Sequence, residues 1–118
     1  MKATIVSATR VGLAVATCVG VAVAARTVQA QDAKQAYEKS CVMCHGAGGK
    51  GDGPASKAMK PPPQPFATGL SGTSDADIAK IIKEGGKAVG KAASMPAYGS
   101  KFSDEQIQGL VQYIKGLK

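Results

Sequence analysis

Apolar and polar positions alternate along this chain with the period of helices, interrupted by stretches that no regular element tolerates. From Asp32 to Ser40, Ala33, Ala36 and Tyr37 fall on one side and Asp32 is placed to cap, which predicts a short helix. Ser74-Asp75-Ala76-Asp77 resembles a capping box with Asp in place of Glu. Ile78, Ile81 and Ile82 follow at helical spacing until Gly85-Gly86 ends the element. Ser103 to Gln106 repeats the start signal more fully, and Ile107, Leu110, Val111, Ile114 and Leu117 draw one apolar stripe to the C-terminus, the strongest helix in the chain. Between these lie a glycine-rich loop from Gly46 to Gly53, a helical turn expected from Pro54 to Met59, and Pro61-Pro62-Pro63-Gln64-Pro65. Those prolines fix an extended strut. No strand alternation, internal repeat or second domain boundary shows, so the expected fold is all-α with long ordered loops.

One further apolar stretch has a different character. Val11 to Ala25 carries no charge, follows Lys2 and Arg10, and leads to Val28-Gln29-Ala30, the layout of a secretory signal cleaved after Ala30. It is short of the roughly 20 apolar residues a bilayer span takes, so an export signal is favoured over an uncleaved anchor. Cys18, inside the run, follows Thr17, which fits a lipoprotein cleavage site poorly; the simpler reading is a cysteine lost with the signal. The expected division is residues 1–30 as signal peptide and 31–118 as one small domain, exported to the periplasm, with no stable membrane insertion after cleavage. A thylakoid lumen fits only a photosynthetic source, and the signal is short for organelle import.

Composition then adds a deficit. A domain this small, with two Phe and no Trp in the whole chain, has a thin apolar interior of its own, and a large buried cofactor would make up the difference. Once Lys2, Arg10 and Arg26 leave with the signal, twelve lysines face eight acids, a net +4 in place of the +7 of the full chain. That surplus suits steering toward an acidic partner patch. Without arginine or a basic stripe interleaved with aromatics, nucleic-acid binding is not expected.

Cys41-Val42-Met43-Cys44-His45 supplies the chemistry. Two thiols three positions apart can add to the two vinyl groups of a haem, while the next imidazole reaches the iron. A zinc site would need ligands beyond the single His and two Cys of the mature region. A redox dithiol is expected near a βαβ pattern. A structural disulfide would leave His45 without a role. Covalent haem is therefore the favoured reading. Among soft donors for the other side of the iron, Met43 lies between the attachment cysteines and reads as packing, and Met59, in a helical turn soon after His45, reads as core filler. Met95, stiffened by Pro96, is the expected second ligand.

These features together resemble a class I c-type cytochrome over the whole mature chain: the Cys41–His45 attachment site, Gly51-Asp52-Gly53-Pro54 after it, Met95-Pro96-Ala97-Tyr98, and the amphipathic last helix. The resemblance implies helices and loops around one covalent haem, with the first and last helices crossing near the attachment site. Ala33, Ala36 and Tyr37 facing Gly109, Leu110 and Tyr113 would suit that crossing. The run Pro61 to Pro65 departs from the family's one or two prolines and leaves the course of that loop open.

With His45 and Met95 both on the iron, no position is free for substrate, so the expected function is single-electron transfer between redox partners, as in a respiratory chain, by a monomer that is not itself an enzyme. Ile78, Ile81, Ile82, Leu110 and Phe66 would form the apolar wall that raises the potential. Lys57, Lys60, Lys87, Lys91 and Lys101 would ring the haem edge for docking, against the plainer reading of a solvated surface. Two rivals stand: an open-iron enzyme or sensor, which would lack a distal histidine, and a haem subunit of a larger dehydrogenase or oxidase.

Overall fold

The computed structural model of the chain describes residues 19–117, with side chains from Gln29 onward. Among these residues there are five helices and no strand: α1 (Val19–Ser40), α2 (Val42–His45), α3 (Phe66–Gly69), α4 (Asp75–Glu84) and α5 (Asp104–Gly116). Single 3₁₀ turns at Ser56–Ala58 and Lys87–Val89 interrupt the loops. The all-α expectation therefore holds.

Helix α1 differs from its expected start. It does not begin at Asp32 but runs through it from Val19, leaving Asp32 an exposed position within the helix. The preceding residues are rich in alanine, so the chain continues a helix already under way and needs no cap there. The expected signal peptide lies outside the described residues up to position 18. No helix among the described residues is long and apolar enough to cross a membrane.

Helices α4 and α5 start where their caps place them. Ser74 Oγ accepts from the Asp77 amide at 3.1 Å. Ser103 and Gln106 form a reciprocal box, each side chain bonded to the other's backbone N–H. Gly85, at φ +82°, ends α4 in a conformation that L side chains rarely adopt.

The core is the meeting of α1, α4 and α5: Tyr37, Ile78, Ile107, Leu110 and Val111 are almost fully buried, with Ile82 and Ile114 beside them. The expected crossing of α1 and α5 is present. Gly109 faces Ala33 across the crossing, where a Cβ would make ordinary contact at 3.5 Å, and the Tyr37 and Tyr113 rings lie 5.3 Å apart. Two exposed links pin α4 to α5: Lys83 to Asp104 at 2.6 Å, and Asp75 to both Lys115 and Gln112.

Candidate haem site

The attachment segment is a single helical turn hung on the end of α1. The Cys41 amide donates to Tyr37 O at 2.8 Å, continuing α1, and the His45 amide to Cys41 O at 2.9 Å, closing α2. Two tyrosine hydroxyls hold the ends of this segment. Tyr37 donates to Gly46 O at 2.7 Å, just after His45, and Tyr98 to Ser40 O at 2.9 Å, just before Cys41. Burial raises the pKa of both phenols, so they stay protonated donors.

The glycine-rich loop wraps back over the same turn. Its amides bond to the carbonyls they pass: Gly51 to His45 at 2.8 Å and Ala55 to Met43 at 2.9 Å. A Cβ on Gly53 would collide with the carbonyl oxygens of Val42 and Met43, so only glycine permits this approach. The proline segment follows as irregular chain, bent at Pro61 and with Pro65 at φ −56° and ψ 137°, and the Phe66 amide at its end bonds Gly49 O at 2.8 Å.

Cys41 and Cys44 are half-buried free thiols. Burial pushes the Cys41 thiol up to about 11, an effect that the Lys101 ammonium opposes. His45 is half-buried and stacks on Phe66, with centroids 4.8 Å apart and planes 26° apart. Burial lowers its pKa, which keeps the imidazole neutral, the form that binds metal. Its Nδ1 is buried without a hydrogen-bond partner, so the protein commits that nitrogen to no acceptor of its own.

Met95 sits in a loop strapped across the end of α4. Its carbonyl accepts from the Gly86 amide at 2.9 Å, and the amides of Tyr98 and Gly99 donate to Ile82 O and Lys83 O at 2.9 and 3.0 Å. A Cβ on Gly86 would strike Ala92 O and press on the Met95 side chain, so this glycine fixes the loop's distance from the helix.

Cys41, Cys44, His45 and Met95 all line one largely apolar cavity of about 370 Å³. Every residue of the expected apolar wall lines it too: Phe66, Ile78, Ile81, Ile82 and Leu110. Met59 also lines it and is half-buried; the expected core filler is part of the cavity wall. Met43 does not pack as expected but is 58 % exposed, because the turn of α2 carries it away from the cavity while the two cysteines face in. Phe66, Tyr37, Tyr98, Gly53 and Gly86 carry supporting roles that no local pattern marks, since each acts on a segment distant in sequence.

The donor set and the enclosure fit a covalently held haem. Two thiols and a neutral imidazole stand in one turn, two thioethers stand in the same walls, and the interior is apolar and of ligand-pocket size.

Residues 28–114 match the family model described as cytochrome c oxidase, cbb3-type, subunit III. The chain belongs to this family of c-type cytochromes. Membership brings covalently bound haem c with its iron, and haem-based electron transfer, to this cytochrome. Among solved structures it is similar to a chain of the reducing HAO-like protein complex of Kuenenia stuttgartiensis. That likeness has 25% identity and a TM-score of 0.63, and covers 94% of this chain and 50% of the other, so the cytochrome spans half the length of that neighbour. No curated protein matches the chain.

Proposed function

We propose that this cytochrome is an electron carrier, not an enzyme, shuttling single electrons between periplasmic redox partners through one haem. Cys41 and Cys44 attach the haem, and His45 and Met95 bind its iron. The observation that carries this reading is the gathering of those four side chains around one apolar cavity. The bound group supplies an iron that cycles between the ferrous and ferric states.

The chain's own residues set how that happens. Of the two thioethers in the wall, Met95 has the better-held backbone, fixed by Gly86, by Pro96 and by the two amide bonds to α4. Met59 follows a 3₁₀ turn in extended chain. A thioether favours the ferrous state, and the wall formed by Phe66, Ile78, Ile81, Ile82 and Leu110 disfavours the added ferric charge, so the potential is raised. His45 is the chain's one histidine, so no second imidazole stands ready to move protons for peroxide chemistry. Export is supported by the signal-like layout of residues 1–30. Docking to acidic partners is supported by the exposed Lys57, Lys60 and Lys87.

Carbon monoxide tests the carrier reading: the reduced protein should leave its visible spectrum unchanged under the gas, whereas rapid, stoichiometric binding would show an open iron and an enzyme or sensor. The neighbour's place in a protein complex favours one alternative, a subunit held by a larger enzyme. Stable co-purification with a large partner from native membranes or extracts would decide for it.

A further inference from the structure

A haem carries two propionate carboxylates, and an apolar cavity that receives one must still place those anions against polar groups. Most polar side chains lining this cavity are already engaged. The hydroxyls of Tyr37 and Tyr98 bond to Gly46 O and Ser40 O, and the Cys41–His45 turn supplies the attachment set. Three remain: Gln64 in the proline strut, and Lys91 and Ser94 in the loop leading to Met95. Among the described residues, none of these three side chains makes a hydrogen bond or ion pair with another protein group. All three are exposed while lining the cavity, which places them at its wetted mouth. Lys91 is the one lysine in the cavity wall, and its amide is bonded to Gly86 O at 2.7 Å, so its backbone is held in place.

We propose that Lys91, with Ser94 and Gln64, forms the subsite that receives a haem propionate: an ammonium for the charge, a hydroxyl and an amide as further donors. The inference rests on the haem-carrier reading above. The two segments that carry these donors also supply the cavity's proline wall and Met95, so a propionate held there would tie the anionic edge of the haem to the loop of Met95. An exposed ion pair adds little to folding stability, so its effect falls on redox balance. Removing the Lys91 charge takes away a cation near the iron and leaves the propionate uncompensated. Both changes favour the ferric state, so the midpoint potential moves down.

The test compares Lys91→Gln with Lys80→Gln in the mature haem-loaded protein. Lys80 is an exposed residue of α4 that does not line the cavity, so it matches the charge change alone. Covalent haem is first verified by an alkaline pyridine spectrum. Midpoint potentials are then measured, together with redox-difference infrared spectra of protein carrying isotope-labelled propionates. The expected result is a clear downward shift and a moved carboxylate band in Lys91→Gln, restored by Lys91→Arg, with Lys80→Gln close to wild type and Ser94→Ala moving the same band. Equal potential shifts in the two glutamine variants with an unmoved band would overturn the subsite while leaving the carrier reading intact. Absence of covalent haem would overturn both.

Discussion

Tyr98 stands three residues beyond Met95, yet its hydroxyl closes on the carbonyl that precedes Cys41, so one side chain joins the loop of the methionine to the turn of the histidine. Its ring stacks on Phe102 at 5.7 Å, and Lys101 reaches over both rings to Ser40 Oγ at 2.8 Å. Tyr98→Phe keeps the packing and removes the donor, leaving Ser40 O short of a partner at a cost of about 1 kcal/mol. We expect a lower denaturation midpoint and a thioether absorption band that fades earlier on warming than in wild type; unchanged melting of that band would show that the bond holds nothing. At this scale the sequence was legible where chemistry is local. Five consecutive positions mark out the turn whose two thiols and imidazole line the cavity, and Met95, picked out by Pro96, lines it too. It was illegible where a role is made by distant neighbours. Phe66 stacking on His45, Met59 in the cavity wall and Met43 turned outward all depend on how the loops close.

At the scale of elements, α4 and α5 carry their own instructions in capping residues and apolar period, and both formed where those signs lay. Removing the cap of α5 by Ser103→Ala should cost about 1 kcal/mol. Emptying this part of the core by Leu110→Ala should cost about 3 kcal/mol, because Leu110 is 1 % exposed within the buried cluster and its loss leaves a cavity there. Chemical denaturation of the haem-loaded protein checks both, and equal losses would contradict the account. The loop before Met95 is instead instructed by what it must avoid. Gly86→Ala drives a methyl group into Ala92 O, so the loop must lift from α4. The expected outcome is faster carbon monoxide binding with folding largely kept. The start of α1 was misread for a related reason: Asp32 looks like a cap, but a cap acts only where no helix precedes it.

Across the whole molecule, the lysines divide into different tasks. Lys101 is engaged with Ser40, Lys91 stands at the cavity mouth, and Lys57, Lys60 and Lys87 face solvent. If the free ones steer docking, electron exchange with an acidic partner should slow roughly tenfold from low to high salt, as screening shortens the reach of charge. Stopped-flow rates that stay flat with ionic strength would remove steering from the account. The helical architecture and the apolar cavity beside the attachment turn were visible beforehand because small size, thin apolar content and that turn all called for a central cofactor. The course of the proline segment was not, since irregular chain has no period to read.

The proposed carrier requires His45 and Met95 both to bind the haem iron. The most direct test of that ligation is the visible to near-infrared absorption spectrum of the oxidised protein in wild type, Met95→Ala and Met59→Ala. The weak far-red band of iron–thioether ligation is expected in wild type and Met59→Ala, and its loss in Met95→Ala. Loss in Met59→Ala alone would move the ligand to the other methionine, and a high-spin wild-type iron without the band would contradict the closed electron carrier altogether.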